Sequence, residues 1–259
     1  MNEWLKPLSV LEFRGQRIFA GQCFKKGKML ERSPVIPVPA NEWTLVSQTV
    51  LRYYCYAWGD NHQDTALALG WGSFFKNPSG EAPNTYYVNC NENMVMEFFA
   101  ARDLIQGEEI TISRRKPLLA RQTAEISPCR KQENMMICIQ NSPGKGRGVF
   151  ARRPIGGNEL IERAAALIIP AGEWAGIEKT VLSNYWFSFG FNREHAIIPM
   201  GYGALYNHSY TPNAVYEVID ADLVVQFKAL RDIPAGEEIT VNYNRDPRDR
   251  SPVWFDVLP

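Results

Sequence analysis

Three short stretches in the second half of the sequence combine residue types that could bind a ligand or do chemistry. Residues 143–148 form a glycine-rich turn, where missing side chains would let a ligand approach the backbone. Residues 207–213 are small and polar, and residues 236–243 read as a turn, a short strand and a closing tyrosine. Taken singly, each stretch is explained as well by a plain turn, an Asx-type turn or a packing tyrosine.

Other kinds of chemistry are disfavoured by spacing and composition. The glycine-rich turn lacks Walker spacing and precedes no predicted helix, which argues against phosphate binding of the P-loop kind. The five cysteines are odd in number and no two are separated by two residues, and the chain has only three histidines. We therefore expect neither a disulfide framework nor a metal centre.

The overall charge and hydropathy limit the possible partners. Lys and Arg total 28 and Asp and Glu total 28, so the formal net charge is zero and no strong nucleic-acid binding is expected. The longest apolar runs, such as residues 164–169, are too short to span a bilayer, and residues 1–6 do not resemble a secretory leader. The sequence predicts a soluble, intracellular protein in the cytoplasm that binds no membrane.

The sequence repeats itself over nearly its whole length. At an offset of 131, the matching blocks are 15–20 with 146–151, 31–32 with 162–163, 39–43 with 170–174, and 70–72 with 201–203. Residues 101–112 match 230–241 at an offset of 129, so the first copy carries two extra residues between Gly72 and Pro83. One register held across so many blocks indicates a tandem duplication. The predicted organisation is a first copy at 1–116, a linker at 117–133 and a second copy at 134–259.

Each copy is predicted to be a mainly β, α+β domain of short strands and small helices. Residues 214–219 and 223–229 are rich in β-branched and aromatic residues and read as a hairpin, as do 85–90 and 94–100. The aromatic-rich residues 181–189 and 50–58 are predicted to form short helices.

In their order and spacing, the three polar stretches resemble the SET domain family of protein-lysine methyltransferases. The shared pattern is the glycine-rich turn, then Asn207-His208-Ser209 with Pro212-Asn213, then Gly236-Glu237-Glu238 leading to Tyr243. The nearest likeness is to minimal viral and bacterial members, which lack cysteine-rich flanking modules. The resemblance implies two tandem SET-like β-clip domains, with Asn207-His208 threaded under a nearby loop.

The resemblance also implies a cofactor, a substrate class and residue roles. The cofactor would be S-adenosyl-L-methionine, and the substrate a protein presenting a lysine. Tyr243 matches the family's catalytic tyrosine. The cofactor-binding residues would be Lys145, Gly146, Arg147, Asn207, His208 and Trp254. The residues that bind the substrate lysine would be Tyr185, Tyr202, Tyr216 and Phe255.

The chemistry of lysine methylation suits an aromatic site without a dedicated base. At pH 7 only roughly one lysine side chain in 2,500 is neutral, since the reference pKa is about 10.4. A poorly hydrated aromatic channel beside a sulfonium would disfavour the ammonium form, and a tyrosine hydroxyl would orient the amine.

The first copy departs from the pattern at each of the three stretches. It has Lys76-Asn77-Pro78 in place of Asn207-His208-Ser209, Arg17 in place of Gly148, and Arg114 in place of Tyr243. We therefore expect a non-catalytic first copy that packs on the second as an internal pseudo-dimer, which would leave the chain monomeric. An inactive tandem protein that binds a partner remains an alternative, as does methylation of a small molecule or a non-histone lysine.

Overall fold

A computed structural model describes residues 11–14, 17–59, 62–114, 136–189, 195–219 and 223–257. The predicted linker at 117–133 lies outside these residues. The described residues form two compact units. The first contains residues 11–114 together with 169–184, and the second contains residues 136–168 and 185–257.

The first unit is built on a five-stranded antiparallel sheet in the order β4-β5-β3-β7-β6, with a two-stranded β1-β2 ribbon. Its strands are β1 Leu11–Arg14, β2 Arg17–Ala20, β3 Met29–Val38, β4 Cys55–Trp58, β5 Asp64–Ala68, β6 Thr85–Cys90 and β7 Val95–Ala100. Aromatic side chains from three of these strands, Tyr56, Tyr87 and Phe98, are buried in the core.

The second unit repeats that sheet as β11-β12-β10-β15-β14 and adds a four-stranded sheet in the order β13-β16-β9-β8. The strands are β8 Ile137–Ser142, β9 Gly146–Ala151, β10 Leu160–Ile169, β11 Phe187–Phe189, β12 His195–Pro199, β13 Asn207–His208, β14 Ala214–Ile219, β15 Val224–Ala229 and β16 Glu238–Val241. Val149, Phe227 and Ile239 are fully buried, so both sheets of the unit contribute to its core.

Helical structure in the described residues is confined to single turns. The two α-helices, α1 Trp43–Val46 and α2 Trp174–Ile177, occupy equivalent positions in the repeat. The 3-10 turns are Ala40–Glu42, Val50–Tyr53, Trp71–Phe74, Asn91–Asn93, Ala171–Glu173, Val181–Asn184 and Gly203–Leu205. None of the described helices has the length and hydrophobicity that a membrane span requires.

The predicted hairpins are confirmed and the predicted helices are wrong over half their length. Strands β14 and β15 pair antiparallel, as do β6 and β7. Residues 50–58 and 181–189 begin as 3-10 turns but continue as the strands β4 and β11. Pairing with the next strand along the chain, β5 or β12, supplies the second half of each aromatic segment with hydrogen-bond partners, and this pairing overrides any local helical preference. The prediction of a mainly β fold of two similar copies is confirmed.

Candidate active site

A two-stranded parallel contact brings the polar stretches of the second copy together. Strand β13 runs parallel to β16, with Asn207 opposite Thr240 and His208 opposite Val241. Strand β16 pairs antiparallel with β9, which begins at Gly146 inside the glycine-rich stretch. Three stretches far apart in sequence therefore lie side by side in one sheet.

Asn207 is held by the other two stretches. Its side-chain amide donates to the Glu238 carboxylate at 2.7 Å and to the Arg147 carbonyl at 3.2 Å. The other carboxylate oxygen of Glu238 accepts from the Ser142 hydroxyl at 2.8 Å. Glu238 thus fixes the orientation of the asparagine, a role that we did not assign from the sequence.

The glycine-rich turn has three positions that a side chain would disturb, and the first is Gly144, with a left-handed φ of +73°. Gly146 adopts a φ of +76°, a left-handed conformation that glycine reaches without strain. At Gly148 a Cβ atom would lie 2.2 Å from a Glu238 oxygen and 2.8 Å from the Asn207 amide nitrogen. The close approach of β9 to Asn207 therefore depends on Gly148 having no side chain.

His208 is buried, with 3% of its surface exposed, and its two ring nitrogens differ in environment. Nδ1 accepts a hydrogen bond from the Tyr243 backbone N–H at 3.0 Å, so the neutral ring carries its proton on Nε2. In the described part of the chain, Nε2 is buried and has no hydrogen-bond partner. Burial lowers the pKa of His208, and the charge of nearby Lys145 lowers it further.

Tyr243 follows β16 and is fixed through both its side chain and its backbone. Its hydroxyl donates to the Tyr206 carbonyl at 2.9 Å, and its carbonyl accepts from the Tyr216 hydroxyl at 3.3 Å. Burial raises the pKa of Tyr243, and the proximity of Tyr185 and Glu238 raises it further. The phenol is therefore neutral at physiological pH and can donate or accept a hydrogen bond.

Two aromatic residues near the end of the described chain cover this site. The Trp254 ring stacks on Tyr243 with centroids 5.9 Å apart, and the Phe255 ring lies 6.1 Å from both Tyr243 and His208. Trp254 is 67% exposed and Phe255 is 41% exposed. Large exposed aromatic side chains beside buried polar groups are typical of a binding surface.

The three tyrosines predicted to bind substrate are placed differently. Tyr216 is buried against Phe187, with ring centroids 4.8 Å apart, and it bonds to the Tyr243 carbonyl. Tyr185 is half-buried and close enough to Tyr243 to raise its pKa. Tyr202 donates its backbone N–H to Glu162 at 2.8 Å, and it lies close enough to Tyr206 to raise the pKa of that tyrosine.

Glu162 is a half-buried acid to which the sequence alone assigned no role. Besides the bond from Tyr202, it accepts a hydrogen bond from the Tyr206 hydroxyl at 3.3 Å. Burial raises the pKa of Glu162 to about 7. A Cβ atom at Gly201 would lie 2.3 Å from its carboxylate, so the loop before Tyr206 packs directly on the acid.

The first copy retains this framework with other residues at the site. Its Lys76 and Thr111 form the parallel bridge equivalent to that of Asn207 and Thr240. Both Lys76 and Asn77 are exposed. Arg17, at the position of Gly148, forms an ion pair of 3.2 Å with Glu109, the equivalent of Glu238.

No group of three or more potential metal ligands occurs among the described residues. The arrangement at Tyr243 instead offers backbone carbonyls, a neutral phenol, a neutral imidazole and aromatic faces. Such groups can hold and orient a cationic or polarised ligand.

A signal for Glu238 and Tyr206 was present in the sequence. Glu238 lies in the repeated Gly-Glu-Glu block, and Tyr206 directly precedes Asn207. What the sequence did not show is that a carboxylate and a backbone carbonyl would be the groups that orient Asn207 and Tyr243.

Comparison with known proteins agrees with the repeat and its family. The family model for the SET domain matches twice, at residues 15–113 and 146–244. A histone-lysine N-methyltransferase of Schizosaccharomyces pombe, specific for H3 lysine 37, is 32% identical over 142 residues, which cover 52% of this chain and 92% of the relative. A variant-silencing SET domain-containing protein of Plasmodium falciparum is 31% identical over 130 residues, or 45% of this chain and 5% of that protein.

Among solved structures, a humanized mutant of Polycomb Repressive Complex 2 from Chaetomium thermophilum matches with 22% identity and a TM-score of 0.35. The match covers 42% of this chain and 15% of that one. The assignment therefore rests on the two matches to the family model, which together span more than half of the sequence. The chain belongs to the SET domain family and contains two copies of the domain.

Proposed function

We propose that the protein is an S-adenosyl-L-methionine-dependent protein-lysine N-methyltransferase that acts through its second copy. The observation that carries the proposal is the hydrogen bond between His208 Nδ1 and the Tyr243 backbone, in a sheet that also fixes Asn207. Family membership and the Schizosaccharomyces pombe relative support the same reaction class.

The residues present fit the cofactor. His208 Nε2 is a buried donor without a partner among the described residues, and a ligand bound there would satisfy it. Gly146 and Arg147 present backbone groups beside Asn207, and Trp254 offers an exposed aromatic face. When bound, S-adenosylmethionine supplies the methyl group as a cationic sulfonium.

Tyr243 is proposed to act by orienting groups rather than by transferring a proton. Its hydroxyl is tied to the Tyr206 carbonyl and its pKa is raised by burial, so ionisation of the phenol is disfavoured. A neutral hydroxyl and a carbonyl can direct the lone pair of a lysine amine by hydrogen bonding. The rings of Tyr185 and Tyr216, with Phe255, are proposed to desolvate the lysine and favour its neutral form.

The first copy is proposed to support the second as an internal partner. Residues 169–184 belong to the second copy by sequence but lie in the first compact unit. There Glu42 accepts from the Val181 N–H at 2.7 Å, and its equivalent Glu173 accepts from the Val50 N–H at 2.7 Å. Equivalent residues thus exchange equivalent contacts, as in a two-fold symmetric dimer interface.

The test of the main proposal is transfer of labelled methyl groups from S-adenosylmethionine to a histone pool. We expect His208→Ala to abolish transfer, since it removes the acceptor of the Tyr243 N–H and the partnerless Nε2. The matched control is Asn77→Ala at the equivalent, exposed position of the first copy, which should transfer label like the unaltered protein. Equal transfer by the two variants would contradict the assignment of the active site to the second copy.

The supporting role of the first copy has a separate test. We expect the double variant Glu42→Ala and Glu173→Ala to melt at a lower temperature and to lose activity, because two backbone N–H groups lose their acceptors. Glu178→Ala, an exposed change in the same segment, is the control. A double variant that matches this control in both readouts would contradict the role.

A further inference from the structure

Arg114 of the first copy is bound by an arrangement of carbonyls and an aromatic ring that we call the cation cage. Its Nη2 donates to the Ser73 carbonyl at 2.9 Å and also to the Phe75 carbonyl. The guanidinium carbon lies 4.7 Å from the centroid of the Tyr56 ring, over its face. The cation cage consists of these two carbonyls and this ring.

The groups of the cation cage bind a cation without supplying a formal negative charge. The contacts of the guanidinium in the described part of the chain are to carbonyl dipoles and a ring, with no carboxylate. Nη1 of Arg114 is buried and has no hydrogen-bond partner among the described residues. The two carbonyls of the cage accept from Nη2 alone, so the cage satisfies only part of the hydrogen-bonding capacity of the guanidinium.

The repeat gives each group of the cage an equivalent at the candidate active site. Ser73, Phe75 and Tyr56 correspond to Ala204, Tyr206 and Phe187 at the offset of 131. The Tyr206 carbonyl accepts from the Tyr243 hydroxyl, and the Phe75 carbonyl accepts from Arg114, the residue that replaces Tyr243. The backbone of Arg114 also keeps the equivalent bond, since its carbonyl accepts from the Tyr87 hydroxyl at 3.1 Å.

From these contacts we propose that the cation cage is a binding site for a side-chain-sized organic cation, a guanidinium or an alkylammonium, that the chain's own Arg114 keeps filled. Arg114 thereby closes the first copy to an external lysine side chain. The identification of the cage with a lysine-binding position rests on the proposed function of the second copy. The binding of a cation by the cage does not depend on methyl transfer.

The test is chemical rescue of the full-length Arg114→Ala variant, followed by thermal denaturation without cofactor or peptide. We expect the substitution to lower the melting temperature by roughly 5 °C, since hydrogen bonds to charged groups are among the stronger ones. Added methylguanidinium should restore part of the loss in a saturable way. Methylurea, a neutral molecule of similar shape, should restore less at the same concentration.

The control variant is Arg52→Ala, which removes another arginine that lies over a tyrosine ring, 4.8 Å from the Tyr53 centroid. Tyr53 is 60% exposed, so this pair has no cage around it and methylguanidinium should not raise the melting temperature of the variant. Equal rescue of both variants, or equal rescue by methylurea, would overturn the proposal. So would an Arg114→Ala variant that melts like the unaltered protein.

A second pair of variants keeps the proposal testable if Arg114→Ala does not fold. Arg114→Lys retains a cation of similar length, and Arg114→Met retains only the apolar stem. We expect the lysine variant to melt at the higher temperature of the two, and the reverse order would contradict a cation site. Because the readout is folding alone, an inactive second copy would leave this result unchanged.

Discussion

The two copies make the same contacts where the residues shape the fold, and different contacts where they could meet a ligand. Asn84 and Asn213 each lie in the loop before a hairpin and connect that loop to the Gly-Glu-Glu turn. The Asn84 amide donates to the Glu109 carbonyl at 2.8 Å, and the Asn213 amide donates to the Glu238 carbonyl at 2.8 Å. Each copy also has an arginine–glutamate ion pair beside that turn, Arg102 with Glu108 and Arg231 with Glu237. These matched contacts mark the structural part of the motif.

Two half-buried glutamates, Glu31 and Glu162, belong to the same structural part. Glu31 accepts from the backbone N–H groups of Trp71 and Gly72 at 2.7 and 2.6 Å, as Glu162 accepts from that of Tyr202. Burial raises the pKa of Glu31 to about 7, as it does for Glu162. An acid that accepts from the backbone of the equivalent loop in both copies positions that loop, and its raised pKa alone does not indicate catalysis.

The copies differ at the carboxylate after this turn. Glu238 orients Asn207 and binds Ser142, whereas Glu109 forms an ion pair with Arg17. In the second copy the Glu238 carboxylate orients the Asn207 amide beside Gly148. In the first copy the equivalent carboxylate, Glu109, is paired with Arg17, which stands at the position of that glycine. The comparison shows that the SET fold persists without the asparagine and the glycine of this site when an arginine forms an ion pair with the remaining glutamate.

Exchanging the residues at this position should have the largest effect. We expect Gly148→Arg to abolish cofactor binding and methyl transfer, because a Cβ there lies 2.2 Å from Glu238 and displaces Asn207. The reciprocal Arg17→Gly should leave both unchanged, since it removes only a half-exposed ion pair from the first copy. Binding is measured by calorimetry, and retained binding in Gly148→Arg would show that the site does not need this close approach.

Tyr243→Phe is expected to lower the rate of methyl transfer by about 10²-fold while the protein stays folded. The change removes the hydrogen bond to the Tyr206 carbonyl but keeps the ring packed against Trp254. Steady-state kinetics should show the loss in kcat rather than in the KM for the cofactor. An unchanged kcat would contradict the proposal that the Tyr243 hydroxyl orients the reacting groups.

Asn207→Ala should have a smaller effect, weakening cofactor binding by about 10-fold and the second copy's stability by about 1–2 kcal/mol. The cause is loss of the two hydrogen bonds that the Asn207 amide donates, one to the Glu238 carboxylate and one to the Arg147 carbonyl. Lys76→Ala, the equivalent change in the first copy, replaces an exposed side chain and should alter neither quantity. Matching losses in the two variants would contradict the difference between the copies.

The pH dependence of stability should show the smallest effect. The pKa of His208 is lower in the folded protein than its ordinary value of 6.5, so the folded state takes up fewer protons than the unfolded chain as the pH falls below that value. The contribution of His208 to stability is therefore fully present above pH 6.5 and is lost as the pH falls below that value. His208→Gln should flatten the profile measured by denaturant unfolding, whereas His62→Asn in the first copy should not.

Local patterns in the sequence were sufficient for the hairpins and the duplication, but not for the contacts that form the site. The 214–219 and 223–229 segments are rich in β-branched and aromatic residues and pair with each other, so their strands were predictable. Residues 55–58 pair with β5, and nothing local in their sequence distinguishes that strand from a helix. Tyr243 and Arg114 donate to backbone carbonyls at equivalent positions of the repeat, those of Tyr206 and Phe75. Every residue has a backbone carbonyl, so the sequence could not show that these two were the acceptors.

The central claim is that one chain has two SET folds and one working site. The most direct measurement is the number of S-adenosylmethionine molecules bound per chain, determined by isothermal titration calorimetry on the unaltered protein and on His208→Ala. We predict one molecule per chain, and none after the substitution. Two molecules per chain, or one that persists in His208→Ala, would contradict the claim.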